Sequence, residues 1–430
     1  MKKLNILYIE DTYPPYNHGG ACISTSLIVK YMAKSNNCFV ITERFQKDNW
    51  EYGGVEVYPI LSPYFPDFSS IFRLIRNKFV NSFQFFNYLK IKSFVKENNI
   101  DLIHIRSNSY DLFRRILKLN IPVVFDVRDS LAICPIMHRA KKCISKKNND
   151  YCVKCLNKYF DEKYHSNKKL LLLLPILLKL LLFDFKFQKK RLIHTIRNKK
   201  NLVKIIPNSK FILKNLEKAG FPKENLKVIY NISEIYLRKS SQKKKNQIAF
   251  GGIIEEAKGI WVAVKAFEFL NNPNLKFKIA GTGPDFNKLK EYIKNQNLKN
   301  IELLGMIRND EVLKLYSESK IILAPSIWPE PFGRFILESI ATKTPLISTT
   351  TGGTPEGITD FESGLLISAG NYKQLGKAIL ELLNNKKLYN KISENLKIKY
   401  QDYSIDIIGK ERLTLYKDLL KQHKNENNKK

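Results

Sequence analysis

Within residues 247–270, QIAFGGIIEEAKGIWVAVKAFEFL, the hydrophobic pattern changes from that of a strand to that of a helix. The apolar run QIAFGGI predicts a buried strand, the glycine pair at 251–252 predicts a turn, and KGIWVAVKAFEFL predicts a helix. A second strand and turn, KFKIAGTG, follow at 276–283. This strand–helix–strand order is typical of a parallel sheet covered by helices.

The same alternation occurs on both sides of a polar, charged stretch at 231–247, which we interpret as a linker. Apolar runs beyond the linker predict strands at 301–307, 320–326 and 344–350. Before the linker, strands are predicted at 4–9, 38–42, 100–105 and 122–127, and helices at 26–35 and 112–118. The chain is therefore predicted to be α/β, with two doubly wound domains of similar size.

Composition limits the class of protein. The chain has 430 residues, too many for one ordinary core, and its 44% of hydrophobic residues are too few for a multi-span membrane protein. With 73 Lys and Arg against 40 acids, anionic partners are expected, although the lysine and asparagine runs themselves are more typical of solvated surface. No arginine-rich arm or zinc-finger spacing indicates nucleic acid. Glu10 and Asp11 interrupt the first apolar run, so we predict no signal peptide and a cytoplasmic protein.

Glycines lie where predicted strands end. Gly19 and Gly20 come between the first strand and a helix, and backbone N–H groups there can approach a phosphate. Gly252 and Lys258 flank the turn after the strand at 247, and Lys258 lies near a helix start, where a cation can hold a diphosphate. The GTG at 281–283 lacks the third glycine of a dinucleotide fingerprint.

The stretch WPEPFGRFILE, residues 328–338, sets two carboxylates eight residues apart, Glu330 before a predicted helix and Glu338 inside it. The N–H groups of Phe332 and Gly333 at the helix start favour an anion, and the carboxylates can accept hydrogen bonds from sugar hydroxyls. Acids for hydroxyls, with N–H groups and a lysine for phosphates, describe a nucleotide-sugar site. The alternative is a helix cap at Glu330 and a surface acid at Glu338.

These motifs resemble glycosyltransferase family 4. The Glu-x7-Glu pattern of that family matches Glu330 through Glu338, and AFGGIIEEAKGI (249–260) resembles its phosphate-binding turn. In the same order as in the family come LLGMI (303–307), APS (324–326), TTGGTPE (350–356) and ESGLLIS (362–368). The resemblance is weaker in the first half, where the matching segments are YPPYNHGGA (13–21), DLIHIRS (101–107), PNSKFILKNLEKAG (207–220) and VIYNISE (228–234).

The resemblance implies a GT-B fold, with two Rossmann-like doubly wound domains facing across a cleft. It implies retaining transfer of a hexosyl-type sugar from a nucleotide diphospho-sugar to an acceptor hydroxyl, without a metal for catalysis. Carried over, Glu330 holds the donor sugar, Glu338 holds the ribose and Lys258 neutralises the diphosphate. The other donor-binding positions implied are Gly19, Gly20, Gly252, Gly281, Gly283, Ile307, Phe332 and Gly333.

Two positions depart from the family. Gly252 stands where an arginine usually follows the glycine of the phosphate turn, so one diphosphate cation is missing or supplied elsewhere. Arg128 stands where a histidine usually follows the strand PVVFDV. Arginine cannot act as a base, but it can bind phosphate or a sugar hydroxyl; a salt bridge to Asp126 or Asp129 is the alternative.

Four cysteines, Cys134, Cys143, Cys152 and Cys155, cluster in an insertion at 134–168. Their thiolates could form a structural zinc site, and free thiols are the alternative. The following leucine-rich segment, 168–191, is too interrupted to span a bilayer and suits the membrane interface or a buried helix.

We therefore predict an N-terminal acceptor-side domain at 1–235 and a nucleotide-sugar-binding domain at 245–398. A helix at 399–422 is expected to pack back on the N-terminal domain, followed by a disordered tail at 423–430. The predicted partners are the donor, a saccharide or lipid-linked acceptor in surface polysaccharide or glycolipid synthesis, and the inner face of an anionic membrane. A non-catalytic basic protein that binds anions or membranes is the alternative.

Overall fold

The computed structural model describes residues 3–16, 20–43, 48–61, 70–106, 110–129, 174–233 and 244–428. The chain forms two compact units. The first comprises residues 1–208, 212–229 and 409–430, and the second comprises 209–211 and 230–408. The helices are α1 (Gly20–Ala33), α2 (Ser70–Glu97), α3 (Tyr110–Ile116), α4 (Leu174–Asn198), α5 (Lys210–Lys218), α6 (Ile260–Leu270), α7 (Phe286–Asn295), α8 (Asn309–Glu318), α9 (Arg334–Thr342), α10 (Thr354–Gly357), α11 (Tyr372–Asn384), α12 (Lys386–Asp402) and α13 (Ile405–Asn427).

The first unit is built on a sheet of β1 (Asn5–Glu10), β2 (Asn37–Glu43), β3 (Trp50–Glu51), β4 (Glu56–Leu61), β5 (Leu102–Arg106), β6 (Val123–Val127) and β7 (Val203–Pro207). The strand order is β3-β4-β2-β1-β5-β6-β7, and only the β3–β4 pairing is antiparallel. All residues of β6 and nearly all of β1 and β5 are buried. Burial on both faces explains why these strands are continuous apolar runs in the sequence.

The second unit is built on β8 (Gln247–Gly251), β9 (Lys276–Ala280), β10 (Ile301–Gly305), β11 (Ile321–Ala324), β12 (Leu346–Thr349) and β13 (Leu365–Ile367). They form a fully parallel sheet in the order β10-β9-β8-β11-β12-β13. The order reverses between β8 and β11. In an open parallel sheet this reversal opens a crevice at the carboxyl ends of the two strands, where ligands bind.

The C-terminal helix extends further than the sequence predicts. Residues 423–427 belong to α13, whereas the sequence predicts a disordered tail at 423–430. The Glu426 carboxylate accepts a hydrogen bond from the Asn201 side chain in the same unit, which holds the last turn of the helix.

The leucine-rich segment contributes the first part of α4, which begins at Leu174. Later in this helix Leu192, Ile193 and Ile196 are buried in the first unit. In the part of the chain that the structure describes, no helix is both long and apolar enough to cross a membrane.

Candidate active site

Two glycine turns meet at the carboxyl edge of the second sheet. The turn after β8 and the turn after β9 are joined by a hydrogen bond from the Ile254 N–H to the Thr282 carbonyl, at 2.9 Å. A Cβ on Gly281 would overlap the Gly252 carbonyl oxygen, and a Cβ on Gly283 would lie 2.5 Å from the Ile254 carbonyl oxygen. The glycines predicted to bind the donor are therefore also required for the close packing of one turn on the other.

The turn that carries Lys258 is fastened to the loop after β11. The N–H groups of Ile327 and Trp328 both donate to the Ala257 carbonyl, at 2.9 and 3.2 Å. Gly259 adopts φ +76°, and a Cβ there would overlap the Pro325 carbonyl oxygen. The predicted phosphate cation and the loop that carries Glu330 are thus held together through their backbones.

Glu330 is buried among hydrogen-bond donors. Its Oε1 accepts from Trp328 Nε1 at 2.7 Å and from Ser326 Oγ at 2.9 Å. The Lys258 ammonium donates to the same oxygen at 2.8 Å. The side chain of Glu330 is only 7% exposed, and that of Lys258 is 22% exposed. A carboxylate so enclosed interacts strongly with any polar group brought next to it, because little solvent screens it.

A second glycine pair supports the backbone of Glu330. The N–H of Gly353 donates to the Glu330 carbonyl at 2.7 Å. A Cβ on Gly352 would overlap that same carbonyl oxygen, and Thr351 Oγ1 donates to the Trp328 carbonyl at 3.2 Å. The TTGG segment after β12 therefore fixes the backbone of the loop that carries Glu330.

Helix α9 begins directly after the loop. Gly333 is its N-cap residue, with extended φ and ψ, and leaves the first N–H groups of the helix at the loop. The Phe332 ring packs in the interior on Tyr230 and Tyr403, with ring centroids 5.2 and 5.7 Å apart. Only the backbone of Phe332 is therefore available to a ligand.

Glu338 lies on α9, close to the end of β8. Its side chain is 12% exposed and pairs with Arg334, with Arg334 Nε 3.4 Å from Glu338 Oε1. Burial, and then the Glu338 charge, raise the pKa of the Tyr316 hydroxyl, which lies 3.4 Å from the Gly251 carbonyl. Glu338 is thus a largely buried acid near the β8 turn, rather than the surface acid of the alternative interpretation.

Arg128, in the first unit, follows β6 and is enclosed. Its side chain is 3% exposed; Nη2 donates to Asp126 at 2.7 Å and Nη1 donates to the Ala21 carbonyl at 2.6 Å. The salt bridge considered from the sequence is therefore present. Arg128 also fixes the first turn of α1, directly after Gly20.

Asp126 joins three buried cationic or titratable side chains. Arg412 of α13 lies 3.0 Å from it, and His104 Nε2 lies 3.3 Å away. Burial alone would raise the pKa of Asp126, but Arg128 and Arg412 hold that pKa well below its ordinary value. Burial lowers the pKa of His104, and the neighbouring Asp126 opposes this shift.

Some predicted residues lie outside the described residues: Gly19 and all four clustered cysteines, with the insertion at 134–168. Among the residues that the structure does describe, no group of three or more His, Cys, Asp or Glu side chains could hold a metal ion. Gly20 begins α1, and Ile307 follows β10 and is partly buried.

Sequence reasoning did not assign Trp328, Ser326 or Tyr316 to the site. Ser326 and Trp328 precede Glu330 by four and two residues, so proximity to the first acid was the available signal. Tyr316 lies on α8 and reaches Gly251 across 65 residues. No local pattern points to such a contact.

Comparison with known proteins finds a family match for the second half of the chain. Residues 232–399 match the family described as glycosyl transferases group 1. A glycosyltransferase of Methanocaldococcus jannaschii, itself uncharacterised, is 33% identical over 146 residues, which are 34% of this chain and 40% of that protein. This chain spans about half the length of the curated relatives it matches.

Solved structures share the fold over almost the whole chain. A glycosyltransferase from Rickettsia africae gives a TM-score of 0.68 at 18% identity, covering 98% of this chain and 100% of its own. HepE of Anabaena, solved in complex with UDP and glucose, gives 0.67 at 18% identity, covering 95% and 98%. These likenesses confirm the predicted GT-B fold.

Proposed function

We propose that this chain, whose residues 232–399 match the group 1 glycosyl transferases, transfers a sugar from a nucleotide diphospho-sugar to an acceptor hydroxyl. The observation that carries the proposal is the buried contact of Lys258 with Glu330 at the β8–β11 crevice. A cation for phosphate oxygens and a carboxylate for hydroxyls are there 2.8 Å apart. When the ion pair separates, Lys258 can take the phosphate end of a sugar phosphate and Glu330 the hydroxyl end.

Each side chain has one role in this proposal. Glu330 accepts hydrogen bonds from the sugar hydroxyls, and Glu338 accepts them from the ribose. Lys258 and the N–H groups at the start of α9 bind the diphosphate, since both favour negative charge. The glycine turns at 252 and 281–283 allow the ligand to approach the backbone. Arg128 positions the start of α1 after Gly20, as its bond to Ala21 supports.

We propose retention by same-face substitution, as in glycosyltransferase family 4. The bond from C1 of the sugar to the phosphate oxygen breaks, and a bond from C1 to the acceptor oxygen forms on the same face. The acceptor proton passes to the departing phosphate oxygen, so atoms and charge balance without an enzymatic nucleophile. Positioning and charge stabilisation then supply the catalysis.

The donor can be identified by thermal shift with UDP-, GDP- and ADP-sugars, beginning with UDP-glucose because HepE was solved with UDP and glucose. A ligand that binds only the folded state raises the melting temperature. Donor-dependent release of free nucleoside diphosphate distinguishes a transferase from a non-catalytic basic protein. Binding without release in the presence of acceptors would favour the latter.

Glu330→Gln tests the site itself. The amide keeps the size of the side chain but loses its charge, so we expect turnover to fall by about 100-fold or more, as with lost transition-state contacts elsewhere. Glu302→Gln is the control, because the Glu302 side chain is 53% exposed and lies away from the Glu330 contacts. Near-normal turnover in Glu330→Gln would refute the assignment of the site.

We further propose that the acceptor is a saccharide or lipid-linked saccharide of a surface polysaccharide or glycolipid, reached at an anionic membrane surface. The support is on α4, where Phe183 and Phe187 are 70% and 47% exposed. Their rings are stacked with centroids 6.2 Å apart, and the Arg191 guanidinium lies 5.3 Å from the Phe187 ring. Aromatic rings beside cations suit the interface of an anionic bilayer.

Flotation with vesicles of phosphatidylglycerol and phosphatidylcholine tests this contact. We expect the full chain to float with the anionic vesicles and the Phe183→Ser, Phe187→Ser double variant to float less. Ile398→Ser, at a position that is 67% exposed on α12, is the control and should float like the parent. Equal flotation of all three proteins would contradict a role for α4.

A further inference from the structure

The Trp328 side chain contacts both charged members of the candidate site. Its indole nitrogen makes the shortest of the three bonds to Glu330 Oε1, at 2.7 Å, against 2.8 and 2.9 Å for the other two. The Lys258 ammonium lies 4.6 Å from the centroid of the Trp328 ring. Donation to a carboxylate and cation–π attraction to an ammonium therefore come from one indole.

The backbone fixes where this indole lies. The Trp328 N–H donates to Ala257, the residue before Lys258, and the Trp328 carbonyl accepts from Thr351. Trp328 is itself 8% exposed, so its ring is packed in place. The ring is thus built into the same loop contacts that bring Lys258 and Glu330 together.

The arrangement has a consequence when the ion pair separates. A diphosphate that attracts Lys258 weakens its bond to Glu330, and a long lysine side chain then regains rotamer freedom. The ring still attracts the ammonium, because the cation–π contact does not depend on Glu330. The indole N–H likewise continues to hold Glu330 Oε1.

We propose that Trp328 is a positioning residue that keeps Lys258 and Glu330 in place while their ion pair opens to admit a sugar diphosphate. The geometric part of the proposal concerns the protein alone. The part about the ligand rests on the proposed function.

The first test needs no ligand. Lysine acylation of the full-length protein by a limiting N-hydroxysuccinimide ester, followed by peptide mass spectrometry, measures how freely Lys258 moves. We expect Trp328→Leu to raise the labelling rate of Lys258 several-fold, since loss of the ring removes a contact worth a factor of about 2 to 30. Trp328→Phe keeps a ring face and should stay close to the parent.

The second test separates the two contacts kinetically, with the nucleotide sugar that gives the largest thermal shift. Trp328→Phe loses the N–H donated to Glu330, so we expect kcat to fall about 10- to 100-fold, the range for a hydrogen bond to a charged group, with little change in the donor KM. Trp328→Leu loses the ring as well, and the donor KM should also rise about 5-fold or more.

The chain offers a matched control in Trp261 on α6. The Trp261 nitrogen donates to Asp285 at 3.1 Å, and Lys288 lies 5.4 Å from its ring centroid. This triplet repeats the chemistry of Trp328 outside the contacts of Glu330. Trp261→Phe and Trp261→Leu should leave the Lys258 labelling rate and both kinetic constants within about 2-fold, the scatter expected of variants outside the site.

The results distinguish the two proposals. Parent-like Lys258 labelling in Trp328→Leu would overturn the positioning role, whatever donor the protein uses. An equal fall of kcat in the Phe and Leu variants with unchanged KM would overturn the separate role of the ring. If no nucleotide sugar binds but Lys258 labelling responds as expected, the proposed function fails and the positioning of Lys258 by Trp328 stands.

Discussion

Glu338 illustrates, for a single residue, how an acid can be held near a ligand site without belonging to the central ion pair. Its side chain is 12% exposed and forms a salt bridge with Arg334. Its charge also helps to raise the pKa of the Tyr316 hydroxyl. A role in binding the ribose therefore requires accepted hydrogen bonds and no proton transfer. The effect of removing its charge should appear in binding.

We expect Glu338→Gln to raise the donor KM about 10-fold while kcat changes less, because a hydrogen bond to a charged group that is made equally in ground and transition states affects binding alone. Steady-state kinetics with the identified donor check this. Glu302→Gln again serves as the exposed control. A large fall in kcat with unchanged KM would place Glu338 in the chemical step instead.

Asp11 gives a prediction about pH. Burial raises its pKa to about 6, with Arg106 opposing the rise and Glu10 and Asp129 adding to it. Since the folded state holds the proton more tightly than the unfolded state, this group favours folding fully below about pH 4 and loses that contribution as pH rises through about 6. Asp11→Asn removes the dependence.

Urea denaturation at pH 5 and pH 8 measures the effect. At pH 8 we expect Asp11→Asn to exceed the parent in free energy of unfolding by about 2 to 3 kcal/mol, with a smaller difference at pH 5. Asp418→Asn, at an exposed position of α13 in the same unit, is the control. If the free energy of unfolding changed by the same amount between pH 5 and pH 8 in Asp11→Asn and in the parent, the raised pKa of Asp11 would be contradicted.

Among the elements, the glycine turns are the most sharply constrained. Gly281 has φ +130° and no room for a Cβ, whereas Gly305, at the end of the next strand, has φ +67° and nothing within 4 Å of an added Cβ. Gly305→Ala should cost about 1 to 2 kcal/mol of stability from the backbone conformation alone. Gly281→Ala should cost a further 1 to 3 kcal/mol or so from overlap with Gly252.

Chemical denaturation of the two variants, with the parent alongside, gives these differences directly. Gly305 matches Gly281 in residue type and lies at the end of the neighbouring strand, so the difference between the two variants reports the less accessible φ of Gly281 together with the packing of the two turns. Equal stability of both variants would mean that the turn after β8 moves to make room.

The elements that could be predicted are those whose ends are marked by turn-forming residues. Strands β8 to β12 were located because each is a short apolar run ended by glycine, proline or a polar turn. β7 was missed because VKIIP follows a long basic helix and has no glycine before it. β3 has two residues and depends wholly on pairing with β4, so no periodicity could mark it.

At the scale of the whole molecule, distant parts of the chain meet in the buried ion cluster of the first unit. Asp126 and Arg412 are 286 residues apart in sequence and both are fully buried. The Asp126–Arg412 contact could not be chosen from sequence, since spacing carries no information over such a distance. The Asp126–Arg128 bridge joins residues two apart and was one of the two considered. The placement of Glu330 before a helix and Glu338 within it could be predicted, because both residues lie in one short stretch of loop and helix.

In this cluster, we expect removal of the carboxylate to cost more stability than removal of one guanidinium group. Asp126→Asn leaves two buried guanidinium groups without a carboxylate and should cost about 3 to 5 kcal/mol of stability. Arg412→Met leaves Asp126 paired with Arg128 and should cost less. Thermal and urea unfolding of the two variants check the order, and a more damaging Arg412→Met would contradict it.

The crowding of Glu330 Oε1 has a further thermodynamic consequence. Because a lysine, a serine and a tryptophan already donate to the oxygen, an incoming sugar hydroxyl takes the place of the Lys258 ammonium and does not fill an empty position. Exchange of this kind releases modest net free energy even when every new contact is well formed. We therefore expect calorimetry to find micromolar rather than nanomolar donor affinity.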